Sequence, residues 1–185
     1  MDPAPIVVRA LNKITAALSG LRFKYAAIGA AAHHAWGSKR EVAGVDLLAA
    51  IGDKEREGFL GAARGEGLQP QEGAAGVIRF RYTDARLGGA SAPVEILEAS
   101  TPFLQRILTR AQPGNVCQVP MPLVTLEDLI LLRTTSDVPD HRESVIELLR
   151  GHAARIDGAY LKKEAEAAGT FDKLKSIWQE AKKQG

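Results

Sequence analysis

The chain has 185 residues, which is enough for one domain or a compact pair of subdomains with a sizeable hydrophobic core. Its apolar and charged fractions, 45% and 25%, are ordinary for a globular protein and exclude a disordered chain. A net charge of +2 gives no general reason to expect nucleic acid or an anionic membrane as a partner. The single cysteine, Cys117, excludes an intramolecular disulfide framework.

The amino-terminal segment MDPAPIVVRALNK has neither the basic start nor the long apolar run of a signal peptide. No stretch of the chain approaches the roughly 20 apolar residues that span a bilayer. These observations predict a cytoplasmic protein without a membrane segment.

The first 120 residues alternate between short helices and strands. Helical spacing of apolar residues and alanine-rich composition predict helices over 6–18, 30–36, 53–67 and 102–111. Continuous apolar runs and apolar–polar alternation predict strands over 23–29, 45–51, 77–84 and 93–100. The segment NVCQVPMPLV, 115–124, is interrupted by prolines, which predicts an edge strand or a connector.

From Thr125 onward the pattern is helical. Thr125 is a candidate N-cap, because an acidic residue follows three positions later and an apolar run comes next. Helices are predicted over 126–135, 140–150, 155–168 and 171–183. The sequence therefore predicts an α/β or α+β core over 1–120, followed by a helical region over 121–185.

Acidic residues and a glycine turn in the core supply much, but not all, of the arrangement that nucleotidyl transfer requires. This reaction needs oxygen ligands for divalent metals at one edge of a sheet, and backbone N–H groups that reach the triphosphate through a glycine turn. Gly29 follows the first predicted strand, Asp46 lies on the second, and Glu95 lies on a strand that can neighbour it. Arg40 precedes the Asp46 strand and can meet phosphate. Two positions before Asp46, however, stands Gly44, which cannot bind a metal.

The segment 23–46 resembles the nucleotidyltransferase superfamily of the polymerase-beta type, particularly a small bacterial branch related to abortive-infection and toxin–antitoxin nucleotidyltransferases. That branch shows a strand, a Gly-Gly or Gly-Ser turn, a helix that ends in glycine, and then Arg-x-Thr-x-Asp-x-Asp. The corresponding residues here are Gly29-Ala30 for the turn, Gly37 for the helix end, and Arg40, Val42, Gly44 and Asp46 for the final motif. The threonine and the first aspartate are thus replaced.

The resemblance continues to about residue 150. Glu95, in PVEILEAS, falls where a third carboxylate is expected and is a glutamate in place of the usual aspartate. PLVTLEDLILLR resembles the segment that opens the helical half, with Arg133 in place of a lysine. The following HRESVIELL resembles the next helix.

The resemblance implies a nucleotidyltransferase-like mixed sheet flanked by helices, followed by a helical carboxy-terminal region. It implies transfer of NMP from a nucleoside triphosphate to a protein, RNA or small-molecule hydroxyl with Mg²⁺. Asp46 and Glu95 would be catalytic metal ligands, Gly29 and Ala30 would bind phosphate through backbone N–H groups, and Arg40 and Arg133 would neutralise charge. Gly44 predicts that this activity is weak or lost, because the number of charged ligands sets affinity at oxygen sites.

Two alternatives stay open at the level of sequence. The domain can be a non-catalytic module that binds a nucleotide or a protein, as in a toxin–antitoxin pair. It can also be a structural subunit in which side chains close the cleft. Asp46 would then be a strand-end aspartate that lies in solvent or caps a neighbour, and Glu95 would belong to a half-exposed strand.

Overall fold

The computed structural model describes residues 3–136 and 138–183. They form two compact units, Met1–Val124 and Thr125–Gly185. Unit 1 contains four α-helices, namely α1 (Pro5–Gly20), α2 (Gly29–Ala35), α3 (Arg56–Gly65) and α4 (Pro102–Arg110). It also contains the strands β1 (Tyr25–Ala27), β2 (Val45–Ala49), β3 (Leu68–Gln71), β4 (Val77–Asp84), β5 (Ala90–Glu98), β6 (Gln112–Val116) and β7 (Val119–Leu123).

The seven strands form one mixed sheet in the order β3-β4-β5-β2-β1-β7-β6. β2 runs parallel to β5, and β1 runs parallel to β7, whereas the other pairs are antiparallel. Leu47 and Leu48 are both fully buried although successive side chains of a strand point to opposite faces, so the centre of the sheet is covered on both sides. The predicted mixed α/β fold is therefore confirmed.

The proline-rich segment after α4 differs from its prediction as an edge strand or connector. It forms a hairpin in which β6 is the edge strand and β7 lies between β6 and β1. The backbone N–H of Val124 donates to Ala27 O. Backbone amide groups of alternate residues point to the same side of a strand, so the amide positions of residues 120 and 122 also point toward β1. Both are prolines and donate nothing, which limits the β1–β7 register to Ala27 and Leu123.

The hairpin turn between β6 and β7 consists of Cys117 and Gln118, whose φ angles are 49° and 68°. Two successive residues with positive φ are typical of a type I′ turn, which matches the twist of the flanking strands. The turn places the Cys117 side chain in the interior, and burial raises the pKa of its thiol.

β3, Leu68–Gln71, was not predicted from the sequence. It pairs antiparallel with β4 at the other edge of the sheet, with Pro70 opposite Phe80. Leu68 and Pro70 alternate with two glutamines, but the segment has only four residues and lacks the β-branched and aromatic residues that are enriched in strands. Pairing with the long strand β4 is what makes it a strand.

Helix α1 is joined to the β4–β5 hairpin through a buried carboxylate. Asp84 is 8% exposed; it accepts a hydrogen bond from the backbone N–H of Arg86 at 2.8 Å and from Tyr82 Oη at 3.2 Å. It also forms an ion pair with Arg9 of α1 at 2.5 Å. The backbone N–H of Arg86, and then Arg9, lower the pKa of Asp84 from its ordinary value of 3.8.

This carboxylate predicts an acid-sensitive contribution to stability. Because the pKa of Asp84 is lower in the folded state, its ionised carboxylate stabilises the fold at pH values above the unfolded-state pKa of 3.8. This contribution to stability is lost as the pH falls through the folded-state pKa. Asp84→Asn should therefore flatten the decline of the melting temperature in this acidic range. Melting curves between about pH 2.5 and pH 5 would measure the slope. Asp53→Asn, at an exposed position, is the matched control and should keep the wild-type slope.

Unit 2 consists of α5 (Leu126–Thr135), α6 (Pro139–His152), α7 (Gly158–Ala167) and α8 (Phe171–Lys183). As predicted, Thr125 caps α5, because its Oγ1 accepts from the backbone N–H of Asp128 at 3.2 Å. α5 packs against α6 and α7, and α8 packs against α6 and α7. Asp128 is fully buried and accepts a hydrogen bond from Tyr160 Oη at 2.7 Å, which joins α5 to α7. None of the described helices combines the length and the hydropathy that crossing a bilayer requires.

Candidate functional site

The two predicted carboxylates lie on neighbouring strands. β2 and β5 are parallel, and Asp46 and Glu95 are partners in their register. Register partners of adjacent parallel strands project to the same face, and strands lie about 4.8 Å apart, so the two side chains are neighbours. Asp46 is partly buried, and the Glu95 side chain is 44% exposed.

The predicted glycine turn lies directly against Asp46. Gly29 has a φ of 61°, and a Cβ placed on it would lie 2.0 Å from Asp46 Oδ2 and 2.6 Å from Asp46 Cβ. Only a residue without a side chain allows this approach. The position also has the left-handed backbone conformation that favours glycine. The next residue, Ala30, donates its backbone N–H to Asp46 Oδ2 at 3.3 Å. Gly29, Ala30 and Asp46 thus form one contiguous group.

Glu95 already has a cationic partner that the sequence analysis did not identify. Arg79 of β4 is its register partner on the other side, and Arg79 Nε lies 2.9 Å from Glu95 Oε1. Both side chains are more than two-fifths exposed, so the pair is screened by solvent and contributes little to stability. The alternation in VIRFRYTD places Arg79 on a polar face, but only the pairing of β4 with β5 brings it to Glu95.

Gly44 is held against β5. A Cβ on Gly44 would lie 2.9 Å from Pro93 Cγ and 3.1 Å from Pro93 O. Pro93 is two residues before Glu95 and faces the position where related motifs have their first aspartate. Pro93 therefore occupies the space next to residue 44 that a side chain at this position would need. The sequence analysis did not identify Pro93.

The two predicted arginines are placed differently. Arg40 is exposed in the segment that connects α2 to β2, where its backbone N–H donates to Ser38 Oγ at 3.2 Å. Arg133 belongs to unit 2 and is buried in α5. Burial, and then the charge of Arg133, lower the pKa of His141 on α6.

A Mg²⁺ ion requires oxygen ligands in octahedral geometry and is commonly held by one or two carboxylates together with substrate phosphates. Within residues 3–136 and 138–183, no group of three His, Cys, Asp or Glu side chains is placed to hold a metal ion. Asp46 and Glu95 are two carboxylates on neighbouring strands, the number with which one Mg²⁺ shared with substrate phosphates is commonly held. The pair does not supply the protein ligands for a two-metal site, because Gly44 has no carboxylate.

Several solved structures share this fold over most of the chain. An antigenic nucleotidyltransferase-like protein from Paracoccidioides brasiliensis has a TM-score of 0.59 and 15% identity, over 97% of this chain and 95% of its own. The antibiotic-resistance factor ANT(2'')-Ia has a TM-score of 0.56 and 16% identity, over 96% and 91% of the two chains. The lincosamide antibiotic adenylyltransferase LnuA, in complex with lincomycin, has a TM-score of 0.54 and 9% identity, over 80% and 98%.

No protein-family profile and no curated protein matches the sequence. The similarity to the solved structures, at identities of 16% or below, establishes the fold alone. The chain therefore has a nucleotidyltransferase-like fold, as the resemblance implied. The bacterial branch that the motif suggested stays a prediction.

Proposed function

We propose that this chain binds a nucleoside triphosphate with Mg²⁺ at the Asp46–Glu95 pair, and that it transfers NMP to a hydroxyl acceptor slowly because of Gly44; loss of the transfer belongs to the second candidate below. The observation that carries the proposal is the register pairing of Asp46 with Glu95 beside the Gly29 turn, in a nucleotidyltransferase-like fold. LnuA is named an adenylyltransferase, which supports the reaction class for this fold. The proposed functional division is a core over 1–120 and a helical region over 121–185.

Each site residue has a distinct role in this proposal. Asp46 and Glu95 hold the ion, which requires that Glu95 exchange its contact with Arg79 for the metal. The backbone N–H groups of Gly29 and Ala30 donate to phosphate oxygens, with Ala30 giving up its contact with Asp46 Oδ2. Arg40 neutralises phosphate charge, while the role that the resemblance implied for Arg133, which is buried in unit 2, stays a prediction.

The chemistry is in-line displacement at the α-phosphorus. The acceptor hydroxyl oxygen forms the new bond to the α-phosphorus and gives its proton to solvent, while the bond between that phosphorus and the pyrophosphate oxygen breaks and pyrophosphate leaves. A bound Mg²⁺ supplies charge neutralisation on the phosphate oxygens. Gly44 weakens this arrangement, because displacement of a reacting group by about 1 Å can reduce the rate about a hundredfold.

A second candidate is a non-catalytic module that binds a nucleotide or a protein partner, as in a toxin–antitoxin pair. Both carboxylates have contacts with groups of the protein itself, Asp46 with the Ala30 N–H and Glu95 with Arg79. These contacts favour a structural role for the two acidic residues. Nucleotide binding without turnover would support this candidate over the transferase.

A thermal-shift titration with ATP, GTP, CTP and UTP, each with and without Mg²⁺, tests the proposal. A nucleotide at about 100 times its Kd should add roughly 2.7 kcal/mol of stability, which raises Tm by about 5–11 °C in a chain of this size. Asp46→Asn is the control, since an amide oxygen still accepts the Ala30 N–H but loses the charge. Release of pyrophosphate, measured in parallel, separates transfer from binding.

The titration has two outcomes that contradict nucleotide binding at this site. One is the absence of a shift with every nucleotide at millimolar concentration. The other is a Mg²⁺-dependent shift that Asp46→Asn leaves unchanged, because the ion would then be bound elsewhere. A shift without pyrophosphate release would leave the binding module as the function.

A further inference from the structure

A groove in unit 2 lies between α7 and α8 and has a volume of about 270 Å³. Its apolar surface comes from Leu161 of α7 and from Phe171, Leu174 and Trp178 of α8. The groove is open to solvent, and Phe171 and Trp178 are only partly buried, so part of each ring is accessible. The residues of α8 that line it recur at helical spacing, which makes the groove one continuous face of the helix.

Gly158, at the start of α7, lies at the tryptophan end of the groove. A Cβ placed on it would be 4.0 Å from Trp178 Cη2, an ordinary van der Waals distance, so α7 begins next to the edge of the indole. A benzene molecule occupies an apolar cavity of about 150 Å³, so 270 Å³ accommodates a ligand of one or two aromatic rings. The size therefore fits a small molecule or a single large side chain.

The charged residues that line the groove are all basic. Three of its nine described lining residues are lysines, Lys162, Lys175 and Lys182, and none of the nine is acidic. Lys175 and Lys182 are exposed and flank Trp178 along α8, three residues before it and four residues after it. Lys162 lies over the Phe171 ring, with its Nζ 5.8 Å from the ring centroid, and is 3.8 Å from Glu166 Oε1.

We propose that this α7–α8 groove binds a small aromatic anion, a one- or two-ring compound with a carboxylate or phosphate group. The ring packs against Trp178 and Phe171, and the anionic group lies among the lysines, where a cation would be repelled. The groove belongs to unit 2 and contains none of the residues proposed to bind nucleotide, so its ligand is distinct from the substrate of the Asp46–Glu95 pair.

Indole-3-acetate and tryptamine are the probes, because they share the indole ring and carry opposite charges. The chain has two tryptophans, so the indole N–H groups give two signals in a ¹⁵N-correlation spectrum, and Trp178→Phe assigns them. Indole-3-acetate should shift the Trp178 signal saturably and leave Trp36 in place. The Trp36 indole donates to Val124 O in unit 1 and serves as the internal reference.

A matched pair of variants tests the lysines. Lys162→Gln with Lys182→Gln should weaken indole-3-acetate binding about fivefold, since each solvent-screened charge pair contributes only a small factor to the affinity. Lys163→Gln with Lys183→Gln removes the same charge from adjacent exposed positions outside the groove and should change the affinity less than twofold.

Three results would overturn the proposal. The first is no movement of the Trp178 signal with indole-3-acetate, and the second is an equal response to tryptamine, which would show an apolar surface without selectivity for anions. The third is a Trp178 signal that moves on simple dilution of the protein. That result would show that a second copy of the chain occupies the groove.

Discussion

Gly29→Ala is expected to destabilise unit 1 by at least about 3 kcal/mol, which corresponds to a fall in Tm of roughly 6–12 °C. Two effects add. A left-handed backbone costs a residue with a side chain about 1–2 kcal/mol, and the φ of Gly29 is 61°. The new Cβ would also overlap Asp46, with 2.0 Å to Oδ2 and 2.6 Å to Cγ, so the strand or the turn must move.

Gly37→Ala separates these two effects. Gly37 has a φ of 99°, and a Cβ there would have no heavy atom within 4 Å, so this variant carries the backbone strain without the overlap. Gly37→Ala should lower the free energy of unfolding by only about 1–2 kcal/mol. A loss in Gly29→Ala no larger than in Gly37→Ala would mean that the turn does not lie against Asp46.

A double-mutant cycle locates the overlap on the carboxylate side chain. Combining Gly29→Ala with Asp46→Gly removes all three side-chain atoms that the new Cβ would meet. The double variant should therefore be more stable than the sum of the two single losses predicts, by at least about 1 kcal/mol. Chemical denaturation of the four proteins measures the cycle, and additive losses would contradict the contact.

Introducing a carboxylate at position 44 is expected to strengthen Mg²⁺ binding only when Pro93 is changed as well. Gly44→Asp alone should lose about 1–3 kcal/mol of stability, because its Cβ would lie 2.9 Å from Pro93 Cγ. Gly44→Asp with Pro93→Ala relieves that contact and leaves the 3.1 Å approach to the backbone oxygen. The double variant should bind Mg²⁺ about tenfold more tightly in the presence of the preferred nucleotide, since ligand charge sets affinity at oxygen sites.

Matched controls distinguish the site from a general effect of charge. Gly44→Ala with Pro93→Ala has the same backbone changes without the carboxylate and should keep wild-type Mg²⁺ affinity. Ala43→Asp adds the same charge at the neighbouring residue, which is exposed to solvent. If the folded Gly44→Asp, Pro93→Ala variant gains no Mg²⁺ affinity over these controls, Asp46 and Glu95 do not form the proposed metal site.

The local elements agree closely with the sequence predictions where the pattern was strong. The predicted helix over 171–183 is α8, Phe171–Lys183, and the predicted strand over 77–84 is β4, Val77–Asp84. The strand predicted over 45–51 ends two residues earlier, at Ala49. Periodicity of apolar residues is a local property, so these elements follow from neighbouring residues alone.

Elements without such a pattern were missed or misassigned. β3 has a polar sequence and is a strand because β4 offers it a partner. The segment predicted as one edge strand or connector, 115–124, is part of a hairpin that begins at Gln112. Its turn at Cys117 and Gln118 lacks the Asn-Gly or Gly-Gly pair that marks a type I′ turn in a sequence.

In the candidate site, too, some features follow from local sequence and others only from tertiary contacts. The sequence by itself determined the helices, the apolar strands, the glycine turn and the two acidic residues, because each depends on residue type and local spacing. Only the tertiary structure decided that Asp46 and Glu95 are register partners, that Arg79 reaches Glu95, and that Pro93 lies against Gly44. Strand order and register depend on contacts between residues far apart in the chain, which a local pattern does not encode.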